Sequence, residues 1–188
     1  AQPQLGARIS SYELAARMQL EASDALDLSQ ENGRTREMYG IGKDPTDSYG
    51  RRCLIARRLV ERGVPWVTVV MENPFRGPIK PLTAGVYNWD RHAVNCHIFA
   101  DAKVRFPLYD QVITAMIEDL YARGLDKRVL LVVTGEFGRT PTVQGTNGRD
   151  HNPGGFTVWM AGGGVKPGVR YRAPDESGYY DRQRGGSG

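Results

Sequence analysis

The chain has 188 residues, 40% of them apolar and 24% charged, a balance that suits one globular domain large enough to bury a core. It holds no run of about 18 apolar residues, so no membrane span is expected, and Ala1 to Leu5 lacks the charged-then-apolar pattern of a secretory signal. The net charge of +4 comes from arginines dispersed over helix-like stretches, which argues against a nucleic-acid partner even at a pI near 9.2.

Ile9, Tyr12, Leu14, Ala15 and Met18 recur at roughly helical spacing, predicting a first helix over residues 8–20. Residues 31–46 are polar and punctuated by Gly33, Gly40, Gly42 and Pro45, the composition of a surface loop. Asp47 is placed to cap a helix running to about Arg62, with Gly63 as its stop. Val64 to Met71 is β-branched and nearly continuously apolar, as in a strand covered on both faces of a parallel sheet. A long loop over residues 72–88 follows, marked by Pro74, Gly77, Pro78, Pro81 and Gly85. Leu108, Val112, Ala115 and Met116 lie on one face of a helix that ends near Arg123-Gly124. Val129 to Thr134 and Phe156 to Ala161 read as two further strands. Strand, crossover helix and strand describe an α/β fold with a mostly parallel sheet flanked by helices, in which ligands bind beyond the carboxyl ends of the strands. Gly185 to Gly188 reads as a disordered tail or a linker remnant.

The chemistry-bearing residues fall in three segments. Asp90 and His92 are two apart, so an extended backbone points both to one side. Asp150 and His151 adjoin in a glycine-rich loop before the last strand. Carboxylate and imidazole are the donor types for zinc, manganese or iron, although a histidine beside an acid also serves as a surface hydrogen-bonded pair. Glu136 stands at a strand end in Gly135-Glu136-Phe137-Gly138, where the glycines allow a sharp turn or a close approach to a ligand. Arg139 and Arg149 flank these acids, either to pair with them or to clamp an anionic ester. His97 reads as a packing or surface residue, and Gly162-Gly163-Gly164 as a tight turn, since no P-loop lysine and serine accompany it. Cys53 and Cys96 are too few and too far apart for a disulfide framework or a cysteine metal motif.

As a set, Trp89-Asp90-Arg91-His92, Arg123-Gly-Leu-Asp126, Thr134-Gly-Glu-Phe-Gly-Arg-Thr-Pro141, Gly148-Arg-Asp-His-Asn-Pro153 and Ala161-Gly-Gly-Gly-Val-Lys-Pro-Gly168 resemble the bacterial family called domain of unknown function 1501. The Gly-Glu-Phe-Gly-Arg-Thr-Pro string is the most specific of these, and the match covers most of the chain. That family is similar to the alkaline phosphatase and sulfatase superfamily. The resemblance implies a partial alkaline-phosphatase-like domain over residues 1–184. It makes Asp90 and His92 ligands of one metal, His151 the later histidine and Glu136 the acid at the strand end. Phe137 departs from the pattern, standing where the superfamily usually has a histidine, so a second metal loses a ligand. The serine, threonine or cysteine nucleophile belongs to a first strand-helix unit that is expected upstream of Ala1. By the same resemblance the protein is expected to be an exported or periplasmic bacterial protein.

These expectations converge on a metal-dependent hydrolase of phosphate or sulfate esters, acting on a small anionic substrate. Zinc is the first choice of ion, with manganese, magnesium or calcium as alternatives. Asp90, His92, Asp150 and His151 are the expected ligands, and Glu136 and Arg139 the expected catalytic groups. The alternative is a non-catalytic binding or scaffold protein that retains the fold.

Overall fold

The computed structural model describes residues 2–71, 89 and 98–180. Helix α1 (Gln2–Leu26) extends six residues beyond each end of the predicted helix. Two of the residues that defined its spacing, Ile9 and Tyr12, are exposed, whereas Ala25 near its end is fully buried. A 3-10 turn, Leu28–Gln30, follows, its start capped by Asp27 accepting from the Ser29 amide at 3.0 Å.

The predicted surface loop over 31–46 is instead partly helical and partly core. Asn32 caps helix α2 (Gly33–Met38) by accepting from the Thr35 amide at 2.8 Å, a strong local signal for a helix start. The turn after α2 delivers Tyr39 and Ile41 to the interior, with Tyr39 fully buried. Helix α3 (Asp47–Glu61) follows as expected, except that Thr46 is its N-cap. Asp47 is its first helical residue, and its carboxylate accepts from the Gly42 amide at 2.6 Å and from Arg51 Nε at 2.8 Å.

Helix α4 (Ile98–Ala122) begins ten residues before the predicted Leu108 and holds Pro107 inside it. A proline removes one helical hydrogen bond and normally marks a boundary, but the residues before it also pack. Asp101 and Arg105 are buried as an i,i+4 ion pair at 2.7 Å. Val112, Ala115, Met116 and Leu120 of α4 then meet Tyr49, Cys53, Leu54 and Ala56 of α3, and Tyr39, Leu28 and Leu125 close the cluster. Each large apolar side chain in it contributes on the order of 1.5–3 kcal/mol by leaving water.

Charge is buried beside this apolar cluster. Arg57, 1% exposed at the side chain, lies 2.8 Å from Glu31, 2.5 Å from Glu61 and 2.9 Å from Asp119. Its Nε and Nη2 meet their carboxylates off the N–H axes, so those two are ionic contacts more than aligned hydrogen bonds. Arg58 adds a contact to Glu31 and donates to the carbonyls of Ala25 and Asp24, fastening the end of α1 to α3. Arg123 pairs with Asp119 at 2.7 Å and Glu61 at 2.9 Å. Tyr39 donates its hydroxyl to Asp119 at 3.1 Å, and burial followed by the Asp119 charge pushes that phenol far above its ordinary range.

Two strand pairs complete the described fold. Strands β1 (Leu130–Thr134) and β4 (Val158–Gly162) pair antiparallel, with Leu130 opposite Gly162 and Thr134 opposite Val158. Strands β2 (Gly138–Arg139) and β3 (His151–Asn152) pair antiparallel between them. The β2–β3 pair nests in sequence inside the β1–β4 pair, so the four strands form the two arms of one hairpin, unpaired over residues 135–137 and 153–157. The expected parallel sheet does not appear among the described residues, which show a mixed α/β fold with short antiparallel pairs. The reason is the connection: parallel neighbours need a crossover, usually a helix, and β1 reaches β4 through a hairpin. Val64 to Met71, the other expected strand, forms no strand and joins neither pair. Val67, Val69 and Met71 pack on the helical core while Trp66 and Val70 stay exposed, so only one face is covered where two were expected. The Gly162-Gly163-Gly164 turn is as expected, all three with φ between 57° and 80°. Among the described residues no helix is long and apolar enough to cross a membrane.

Candidate functional site

The hairpin carries most of the expected site. β1 ends at Thr134, and Gly135-Glu136-Phe137 leads into β2 with Glu136 exposed. Gly138 allows a close approach of backbone, since a Cβ there would lie 2.0 Å from the Gly155 carbonyl oxygen. Glycine at this position is thus required by packing of the hairpin. Arg139 faces His151 across β2–β3. The Phe137 ring stacks on the His151 imidazole with centroids 4.0 Å apart and planes 27° from parallel. The Arg139 guanidinium carbon is 5.5 Å from the centroid of the same phenyl ring.

Arg139 also ties separate segments together. Its Nη1 donates to the Arg149 carbonyl and its Nη2 to the Trp89 carbonyl, each at 3.3 Å. Trp89 is in turn seated on the core: its Nε1 donates to the Met71 carbonyl at 2.5 Å, and its ring stacks against Phe106 and meets Tyr109 edge-on, each at 5.9 Å. Arg105 lies 5.6 Å from the Trp89 ring centroid. Met71, the first half of α4 and the hairpin meet at this one residue.

Asp150 and His151 are both exposed at the start of β3. The Asp150 Oδ1 accepts from the His151 amide at 2.7 Å, and the Asp150 amide donates to the Thr140 hydroxyl at 3.1 Å, which fixes the loop just before the imidazole. Arg149 lies over the Phe99 ring of α4 at 5.9 Å and donates to the Gly148 carbonyl at 3.0 Å. Asn152, which sequence reasoning passed over, is the buried pin of the hairpin: its amide donates to the Tyr179 carbonyl at 3.0 Å and its oxygen accepts from the Gly154 amide at 3.1 Å. Tyr179 is held by Asp175, whose Oδ1 accepts from Ser177, Tyr179 and Tyr180. The Ser177 hydroxyl, more than the backbone amides, keeps the Asp175 carboxyl below the usual aspartate range. The only sequence signal for Asn152 is an Asn-Pro-Gly-Gly turn.

The structure thus gathers Glu136, Phe137, Arg139, Arg149, Asp150 and His151 on one hairpin and links it to Trp89, the residue before Asp90 in sequence. Asp90, His92 and His97 lie outside the described residues. Among the described residues no three histidine, cysteine, aspartate or glutamate side chains come together as a metal-holding group. Asp150 and His151 therefore supply at most part of an ion's coordination.

The class these features define is a mixed α/β protein in which an aromatic-braced hairpin presents adjacent carboxylate and imidazole groups. The chain belongs to the family described as a protein of unknown function (DUF1501), which matches residues 1–186. Comparison with curated proteins and with solved structures finds no match.

Proposed function

We propose that the protein is a metal-dependent hydrolase of phosphate or sulfate esters. One observation carries the reading: a single guanidinium, that of Arg139, joins the strand facing His151, the loop at Arg149 and the carbonyl that leads into Asp90. Trp89, next in sequence to Asp90, is thereby tied to the hairpin that carries His151, which supports a site assembled by folding. In this reading Asp90, His92, Asp150 and His151 hold one divalent ion, zinc first, with manganese, magnesium or calcium as alternatives. The bound ion would polarise the ester and stabilise the departing oxygen. Glu136 orients a ligand or serves as a further one. Arg149 supplies positive charge for the ester oxygens. Arg139, committed to two main-chain carbonyls, acts by holding the segments together.

The protein is expected to take up one equivalent of zinc and to turn over aryl phosphates or aryl sulfates. His92→Ala and His151→Ala are expected to lose the metal. Metal analysis showing none in the purified protein, unchanged by either substitution, refutes the reading.

The second reading, a binding or scaffold protein that kept the fold, is favoured by Phe137, which places a ring where a donor is expected. Metal uptake without turnover of any aryl phosphate or sulfate, across several divalent ions, selects it.

A further inference from the structure

We infer that Phe137 is a positioning residue for His151, selecting the orientation in which the imidazole presents its nitrogens. Histidine side chains choose among staggered wells, and a ring stacked on one imidazole face biases that choice. Here the phenyl ring lies against one imidazole face at 4.0 Å, so the well that keeps the two rings stacked is favoured over those that part them.

The brace is fixed at its inner end. Arg139 faces His151 across the strand pair and the Phe137 ring contacts both side chains, so all three lie on one face of the hairpin. Arg139, over the same phenyl ring, is held by the Trp89 and Arg149 carbonyls. Gly138, between them, lies so close to the Gly155 backbone that a Cβ there would meet its carbonyl oxygen, which holds this part of the strand in place. At the outer end the imidazole is exposed and backed by Asp150, whose carboxylate holds the His151 amide. The column Arg139, Phe137, His151 therefore has an anchored end and an end open to solvent.

Positioning of the ring stands on this geometry; its consequence for metal rests on the hydrolase reading above. The test compares the intact protein with Phe137→Leu and Phe137→Tyr, using ring-proton NMR of His151 assigned by His151→Gln, zinc titration, and thermal melts. In the wild type the His151 ring protons are expected upfield, shifted by the phenyl ring current. Phe137→Leu should return them toward free-histidine values with little change elsewhere in the spectrum, and Phe137→Tyr should restore the shift. Zinc affinity should fall about tenfold in Phe137→Leu, the scale for losing a group that orients a ligand, and recover in Phe137→Tyr. Unshifted His151 ring protons in the wild type, or shifts unmoved by Phe137→Leu, overturn the inference. So does a Phe137→Leu protein that binds zinc as tightly as the wild type. If the wild type binds no zinc, the hydrolase reading falls, and the ring-proton shifts alone decide the positioning.

Discussion

Replacing Arg57 by methionine tests whether the charges buried between α3 and α4 act as one unit. The guanidinium contacts three carboxylates, and two of them, Glu31 and Asp119, are only 6% exposed at the side chain. Its loss does not leave them bare. Glu31 keeps Arg58 at 2.5 Å, and Asp119 keeps Arg123 at 2.7 Å and the Tyr39 hydroxyl at 3.1 Å. Removing one partner of a buried pair costs about 3–5 kcal/mol, and the retained partners put Arg57→Met at the low end, about 3 kcal/mol. The control is Lys43→Met, which breaks a pair exposed by 58% and 74% and should cost under about 1 kcal/mol. Urea unfolding followed by far-UV circular dichroism at pH 7 measures both. The pH dependence adds a second check. Burial alone would raise the Glu31 carboxyl, but the Arg57 and Arg58 guanidiniums outweigh it and hold the group below the ordinary glutamate range. A carboxyl lowered by folding contributes stability that is complete above its unfolded value, about 4.3, and is lost as pH falls through the folded value. Wild-type stability should therefore drop below about pH 4.3 more steeply than that of Arg57→Met, which has less of this contribution to lose. A destabilisation no larger than that of Lys43→Met, or parallel acid limbs for the two proteins, refutes the reasoning.

Gly138→Ala should cost roughly 1–3 kcal/mol locally, because its Cβ meets main chain that has no rotamer in which to yield; faster amide exchange over residues 138–152 is the readout, and exchange at the wild-type rate counts against the close approach. Cys53 is buried, and burial pushes its thiol up to about 12, so at pH 8 only about 1 in 10,000 molecules carries the reactive thiolate. In a Cys96→Ser background, disulfide-exchange reagents should label Cys53 only as the chain unfolds in urea; labelling of the native protein at the rate of a free thiol would contradict this.

What the sequence made legible follows from local rules. α3 was readable to a residue because an apolar face, an acid at the first turn and Gly63 agree on one element. The two longer strands were readable as strands, since β-branched runs need no partner to be recognised. Their direction was not, because pairing depends on where the chain travels between them, and the two-residue strands β2 and β3 are too short to leave a period. α2 and the first half of α4 were hidden by Gly33, Gly40, Gly42 and Pro107, residues that break helices on average but here lie at a start, beyond an end, or inside a helix held by packing. At the site, the acid and imidazole types at Glu136, Asp150 and His151 were visible as chemistry. The partner of Arg139 was not, because a main-chain carbonyl 50 residues away leaves no trace in side-chain identity.

That carbonyl makes Trp89 one point at which the hairpin meets the helical core, beside Arg149 over Phe99 and Leu131 packed on the core, and the arrangement predicts where the protein gives way first. α4 is clamped by the charge network at Asp119 and Arg123 and by the apolar cluster, so the ring of Trp89 packs against an element with little freedom. The hairpin leans on that ring's backbone through one guanidinium and on the Tyr179 turn through Asn152. Trp89→Ala removes the stacking on Phe106 and Tyr109 and the bond to Met71 but not the carbonyl itself, so Arg139 keeps a partner that is no longer seated. Truncating a large aromatic costs about 3–5 kcal/mol when fully buried, and roughly half that suits a half-buried ring. Amide exchange should therefore quicken over residues 138–152 while α3 and the second half of α4 keep wild-type protection. Equal loosening of α3 and the hairpin would mean that Trp89 belongs to the core alone, and that the hairpin is held by the Tyr179 turn.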